Sequence, residues 1–185
     1  MRQIRCKFRV HLFIVPVLLF AATALVAAVP QSLNTPRTPA EVVEEYCHVD
    51  LNGARVSSDN PYVDKYFSLV SWQNEAGFGE MDITRECRVL SASVHGRSAE
   101  VTMEYENIGT IDEYTVHKAT TKERIVFRLA NSSGKWIIDH PMIPPHVTAS
   151  ALISNFQNLL SREKDPSFKL KYERVITNLK ALGGK

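Results

Sequence analysis

Tyr46, Asp50, His117 and Asp139 are the side chains of this sequence whose types best suit general acid–base chemistry. A phenol can donate to a developing oxyanion, while a carboxylate or an imidazole can take and return a proton near neutral pH. Such work requires the groups to stand within about 3 Å of the proton they move. Tyr46 and Asp50 lie beside the apolar stripe of the first expected helix, from which they can turn toward the interior. His117 falls in the polar part, 115–122, of the strand expected over 111–129, for which a loop is the alternative reading, and Asp139 follows the apolar run Trp136-Ile137-Ile138. The competing reading of Asp50 is a solvated helix carboxylate.

The remaining reactive residue types point to structure. His48 follows Cys47, but neighbours in a helix point apart, so the two do not form a dyad. His140 and His146 flank proline-rich turns and read as turn or capping side chains. Cys47 and Cys87 are either a disulfide or two buried small hydrophobes, and no histidines accompany them at zinc-ligand spacing, so no metal and no cofactor is expected. Trp72, Tyr105, Phe127 and Trp136 are the aromatics that fill a core or line a pocket, with Trp136 opening a central strand. Asn131-Ser132-Ser133 matches a glycosylation triplet and is read as a plain turn. There is no glycine-rich phosphate loop, no Gly-x-Ser-x-Gly elbow and no metal-binding helix motif.

The elements that must carry these residues follow from period and punctuation. Thr38-Pro39 before Ala40-Glu41-Val42-Val43 is a helix start: Thr38 caps, Pro39 suits the first turn, and Glu41 favours the positive helix end. Val43, Cys47, Leu51 and Ala54 then recur at helical spacing, and Ser57-Ser58-Asp59-Asn60-Pro61 breaks the helix. A second helix is expected over 62–72. From Glu80 the period becomes extended, with strands over 81–94, 99–108 and 111–129, a hairpin turn at 131–134, and a last strand ended by Pro141, Pro144 and Pro145. Two helices close the chain. Leu152, Ile153, Phe156, Leu159 and Leu160 share a face of the first; Phe168, Tyr172, Val175, Ile176, Leu179 and Leu182 share a face of the second. With Glu163-Lys164 between them they form a helical hairpin.

The N-terminus is an address. Arg2, Arg5, Lys7 and Arg9 precede an apolar run with an Ala-rich exit, the pattern of a secretory signal. The run also just reaches the roughly 20 residues of a membrane anchor. The chain is divided into a signal peptide or signal anchor at 1–28, a linker at 29–37, an α+β domain at 38–146 and the helical hairpin at 147–185. It is expected to be exported, periplasmic or secreted, with the N-terminal segment as its only membrane contact. The formal charge of +2 comes from 22 basic and 20 acidic residues. Removing the four basic residues of the signal leaves the balance slightly acidic, which excludes a nucleic-acid binder with a concentrated basic face.

Two helices followed by an antiparallel meander resemble the nuclear transport factor 2-like superfamily of cystatin-like cones, which includes ketosteroid isomerase and the SnoaL-type cyclases. The resemblance rests on residues 38–46, on the acidic strand 99–106, and on 125–139 with its Phe-Arg-Leu and Lys-Trp-Ile-Ile segments. It implies N-terminal helices on a curved antiparallel sheet of about four strands, with an apolar pocket in the cone. It places a helix tyrosine at Tyr46 as oxyanion donor, but the base position falls near Val70 and Ser71, where no acid stands, so no catalytic set carries over. The expected function is therefore an exported, non-catalytic binding or interaction domain with a small apolar ligand. A homodimer or partner contact is expected through Phe168, Tyr172, Val175, Ile176 and Leu179. The alternative is an isomerase, dehydratase or cyclase using Tyr46 with Asp50 or Asp139.

Overall fold

Thr38 starts the first helix by a reciprocal bond: its hydroxyl accepts from the Glu41 N–H at 3.3 Å, and the Glu41 carboxylate accepts from the Thr38 N–H at 2.7 Å. This box satisfies amides that a helix start leaves open, and it launches α1 (Pro39–Leu51). The computed structural model describes residues 36–75 and 77–183; the expected signal 1–28 and nearly all of the linker 29–37 lie outside the described residues.

After the short α2 (Val63–Phe67) come β1 (Glu80–His95), β2 (Ser98–Asp112), β3 (Thr115–Ser132), β4 (Lys135–His140) and β5 (His146–Val147). The first four strands form an antiparallel meander, and β5 joins β1 in parallel, giving the order β4-β3-β2-β1-β5. The fold is thus α+β, with five strands and a mixed sheet in place of the expected antiparallel four. A two-residue strand behind Pro144-Pro145 is too short to show a period, so sequence alternation misses it. The ladder shifts register at Ile83/Thr84, Thr84/Glu86 and Val89/Ser91 of β1 and at Asn107/Gly109 of β2. Such bulges bend and twist strands, and here they curl the sheet into a half-barrel. At Gly109 the neighbouring strand passes so close that a Cβ would collide with the His117 carbonyl oxygen.

Two local expectations are corrected and one alternative is settled. The second helix ends at Phe67, because Ile138 donates to the Leu69 carbonyl and Ser71 donates to the Ile138 carbonyl, each at 2.9 Å; pairing with β4 wins over the helical pattern. The stretch 115–122 is strand, with His117 opposite Thr110. The reversal before it lies at Glu113-Tyr114, with Glu113 at φ 43°, a turn without the usual glycine signal.

Two hydrophobic clusters hold the sheet. In one, Val43, Tyr46, Cys47 and Tyr66 of the first helices meet Val101, Met103, Tyr105 and Phe127. In the other, α3 (Ala149–Arg162) and α4 (Pro166–Gly183) pack Leu152, Val175 and Leu179 on Ile83, Ile111 and Val147. The apolar stripe of α4 is therefore covered by the chain's own sheet: Tyr172, Val175, Ile176 and Leu179 are buried and Phe168 is half-buried. A disulfide joins Cys47 of α1 to Cys87 of β1, with Cα atoms 6.7 Å apart. No helix among the described residues is long and apolar enough to cross a membrane.

Candidate functional site

The four residues proposed for acid–base work do not meet. Tyr46 and Asp50, one turn apart on α1, are fully buried. His117 is about half exposed and lies 3.4 Å from Asp112. Asp139 is also about half exposed, accepts from Ser71 Oγ at 3.1 Å and lies 3.2 Å from His140. Trp72 and Trp136 are half-buried; Trp72 Nε1 donates to the Tyr66 hydroxyl at 3.2 Å, and Trp136 sits on the edge strand β4 rather than a central one. Tyr105 and Phe127 are fully buried core side chains.

Asp50 is not solvated. Its carboxylate receives Arg55 Nε at 2.9 Å and Nη2 at 2.8 Å, a two-pronged pair, and accepts the His146 backbone N–H at 3.0 Å. The Arg55 guanidinium also donates to the carbonyls of Ile143 at 2.8 Å and Pro144 at 2.9 Å, and lies over the Tyr66 ring at 5.3 Å. Both charged side chains are 2% exposed or less. Burial opposes the Arg55 charge, but the attraction and hydrogen bonds of Asp50 more than offset it, so the guanidinium is held firmly protonated. Burial pushes the Tyr46 and Tyr105 phenols well above the usual tyrosine range, and neither hydroxyl has a hydrogen-bond partner among the described residues. A phenol so placed is a poor proton carrier near neutral pH.

This ion pair fixes the segment that delivers His146, which is not a turn or capping residue but a fully buried one. Its Nδ1 faces the Pro144 carbonyl at 3.0 Å, its ring stacks on Tyr105 with centroids 4.1 Å apart, and its Nε2 faces Glu123 Oε2 at 3.3 Å and Asp82 Oδ2 at 3.7 Å. Strand pairing explains the assembly. Asp82 lies opposite His146 across β1 and β5, and Glu123 lies opposite Tyr105 across β3 and β2. Asn107, opposite Thr84 at a bulge, points its Nδ2 at Asp82 Oδ1 (3.5 Å) and Glu123 Oε2 (3.4 Å), and Thr84 Oγ1 donates to Asn107 Oδ1 at 2.7 Å. Burial raises the Asp82 pKa above the usual aspartate range; His146 opposes the rise and Glu123 adds to it. Sequence reading missed this group because its members come from four strands. The only local trace is His146-Val147 held between Pro145 and the helix cap Thr148.

Comparison with family models, curated proteins and solved structures finds no match for this chain.

Proposed function

We propose that this protein is an exported, non-catalytic interaction domain on a cone of the nuclear transport factor 2-like kind, and that it takes up an extended polypeptide segment along the free edge of β1. The observation that carries this reading is that edge: β5 covers β1 only at Asp82 and Ile83, and no strand of the described residues pairs with it beyond them. An uncovered strand offers a row of backbone donors and acceptors for one more strand. Beside it runs a cleft between α1 and β1, lined by the apolar Leu51, Cys87 and Val89 together with the charged Glu44, Arg85 and Arg88, where a guest strand meets both apolar and charged contacts. Inside the cone, Tyr46, Tyr66, Met103 and Phe127 fill the volume a substrate would need, each at 0% exposure. The Cys47–Cys87 disulfide supports export, since such bonds persist in oxidising compartments.

Selection of displayed random peptides against the disulfide-bonded protein tests the proposal. The expected winners alternate apolar and polar residues, and their binding slows amide exchange at residues 85–93. Failure to enrich any peptide, or protection confined to other strands, overturns it. A dimer in sedimentation equilibrium whose contacts protect the same amides would replace the foreign segment with a second copy.

A further inference from the structure

We propose that Asp82, Glu123 and His146 form a site for a divalent cation of the zinc class. The inference is independent of the peptide-binding reading. One ligand atom from each residue lies within 4.8 Å of the others. The two edges that meet at His146 Nε2, 3.3 Å and 3.7 Å, bracket the edge of about 3.4 Å that a tetrahedron with metal bonds near 2.1 Å would have.

The ring of His146 is set for ligation. Its Nδ1 faces the Pro144 carbonyl at 3.0 Å, and a carbonyl only accepts, so Nδ1 carries the hydrogen. In the neutral imidazole the Nε2 lone pair then points at two carboxylate oxygens, an arrangement that is repulsive until a cation enters among the three. Donation of the far ring nitrogen to a backbone carbonyl is how metal-bound histidines are usually oriented. The carboxylates have outer support as well: Asn107 Nδ2 reaches Asp82 Oδ1 at 3.5 Å and Glu123 Oε2 at 3.4 Å, and the buried Thr84 hydroxyl fixes the Asn107 amide at 2.7 Å. Asp50 and Arg55, which hold the chain at residues 143–146, complete the scaffold.

One nitrogen and two carboxylate oxygens make a borderline set that favours zinc-like ions over magnesium, which seeks six oxygens. The site is open to solvent, since the Glu123 side chain is 46% exposed and that of Asp82 22%, leaving a coordination position for water or a partner's ligand. A cation there would clamp β5 and β3 onto β1.

An imidazolium gripped by two carboxylates satisfies the same geometry with a proton, and the experiment separates the two. Zn²⁺ is titrated calorimetrically into the chelator-treated, disulfide-bonded protein carrying no histidine tag. One saturable ion per chain is expected, with Kd below about 10 µM and a rise in melting temperature. Glu123→Gln, on the exposed side of the site, should weaken binding at least about tenfold while leaving the metal-free melting temperature close to the parent's. His146→Gln should abolish binding. Mg²⁺ at the same concentration should give no isotherm. Absence of saturable Zn²⁺ binding, or unchanged affinity in Glu123→Gln, would overturn the proposal and leave a proton-bridged triad.

Discussion

Replacing Arg55 with methionine tests whether the buried ion pair organises the segment that carries His146. The change keeps much of the side-chain volume but leaves the Asp50 carboxylate at 0% exposure with the His146 N–H as its remaining donor; it also removes the Arg55 donor from the Ile143 carbonyl and one of the two donors from the Pro144 carbonyl, which keeps His146 Nδ1. Breaking a buried pair from one side costs about 3–5 kcal/mol, a large part of the roughly 5–15 kcal/mol that holds a domain together. Asp50→Asn should cost less, because the amide oxygen still accepts from His146 and Glu75 Oε1 stays 3.4 Å from Arg55 Nη1. The double variant should be more stable than the two single losses predict, by about 0.5–3 kcal/mol, since neither charge is then stranded. The assay is a double-mutant cycle by urea denaturation at neutral pH, with native-state hydrogen exchange at His146 and Val147. Exchange there should accelerate in Arg55→Met before it does in β2. A cost below about 1 kcal/mol, or strictly additive losses, would refute the argument, because the pair would then behave as a solvent-screened contact.

Three further outcomes follow from separate parts of the molecule. Reducing the Cys47–Cys87 bond, which closes a separation of 40 residues, should lower stability by about 4 kcal/mol in the chain-entropy model, measured by denaturation with and without reductant; two free thiols by alkylation of the unreduced protein would reject the bridge. Glu104 accepts from Arg88 at 2.6 Å and Arg124 at 2.9 Å, and those hydrogen bonds, Arg88 first, hold its carboxyl below the usual range. Its depressed folded pKa means the contribution is present above the ordinary glutamate pKa and is lost as pH falls through the folded value; the advantage of the parent over Glu104→Gln should therefore be seen at pH 6 and vanish in strong acid. Leu179→Ala, at a 0% exposed position in the second cluster, should cost about 2–5 kcal/mol by leaving a cavity between α4 and the sheet, and an unchanged denaturation midpoint would show that the hairpin does not bear on the fold.

Elements whose signals are local were legible in the sequence. Thr38, Pro39 and Glu41 spell the α1 start, Val101, Met103 and Tyr105 alternate as an inward strand face, and Ser133-Gly134 closes a hairpin with φ of 54° and 85°. What was not legible depends on partners far along the chain. Asp50 carries no mark that separates a solvated helix carboxylate from a buried one; its burial is tolerable because Arg55 returns from the loop after α1 to pair with it. His146 reads as punctuation between prolines and a helix cap, and its character comes from Asp82 and Glu123, which β1 and β3 place beside it. In both cases a buried polar group is made acceptable by contacts that sequence spacing does not encode.

The same dependence fixes what can disturb the candidate site. A strand slipped by one residue turns its side chains to the opposite face, so the meeting of Asp82, Asn107 and Glu123 is a property of register. That register changes at Thr84 on β1 and between Asn107 and Gly109 on β2, beside the residues concerned. Gly109 is required there because any larger residue would strike the His117 carbonyl, and Thr84 locks the Asn107 amide across the bulge. The bulges therefore do two things at once: they curl the sheet over α1, and they bring polar side chains of β1, β2 and β3 toward the one histidine that β5 delivers. A regular ladder through Thr84 and Asn107 would preserve the apolar alternation further along β2 and still scatter this cluster, which is why it belongs to the tertiary pairing and not to any single segment.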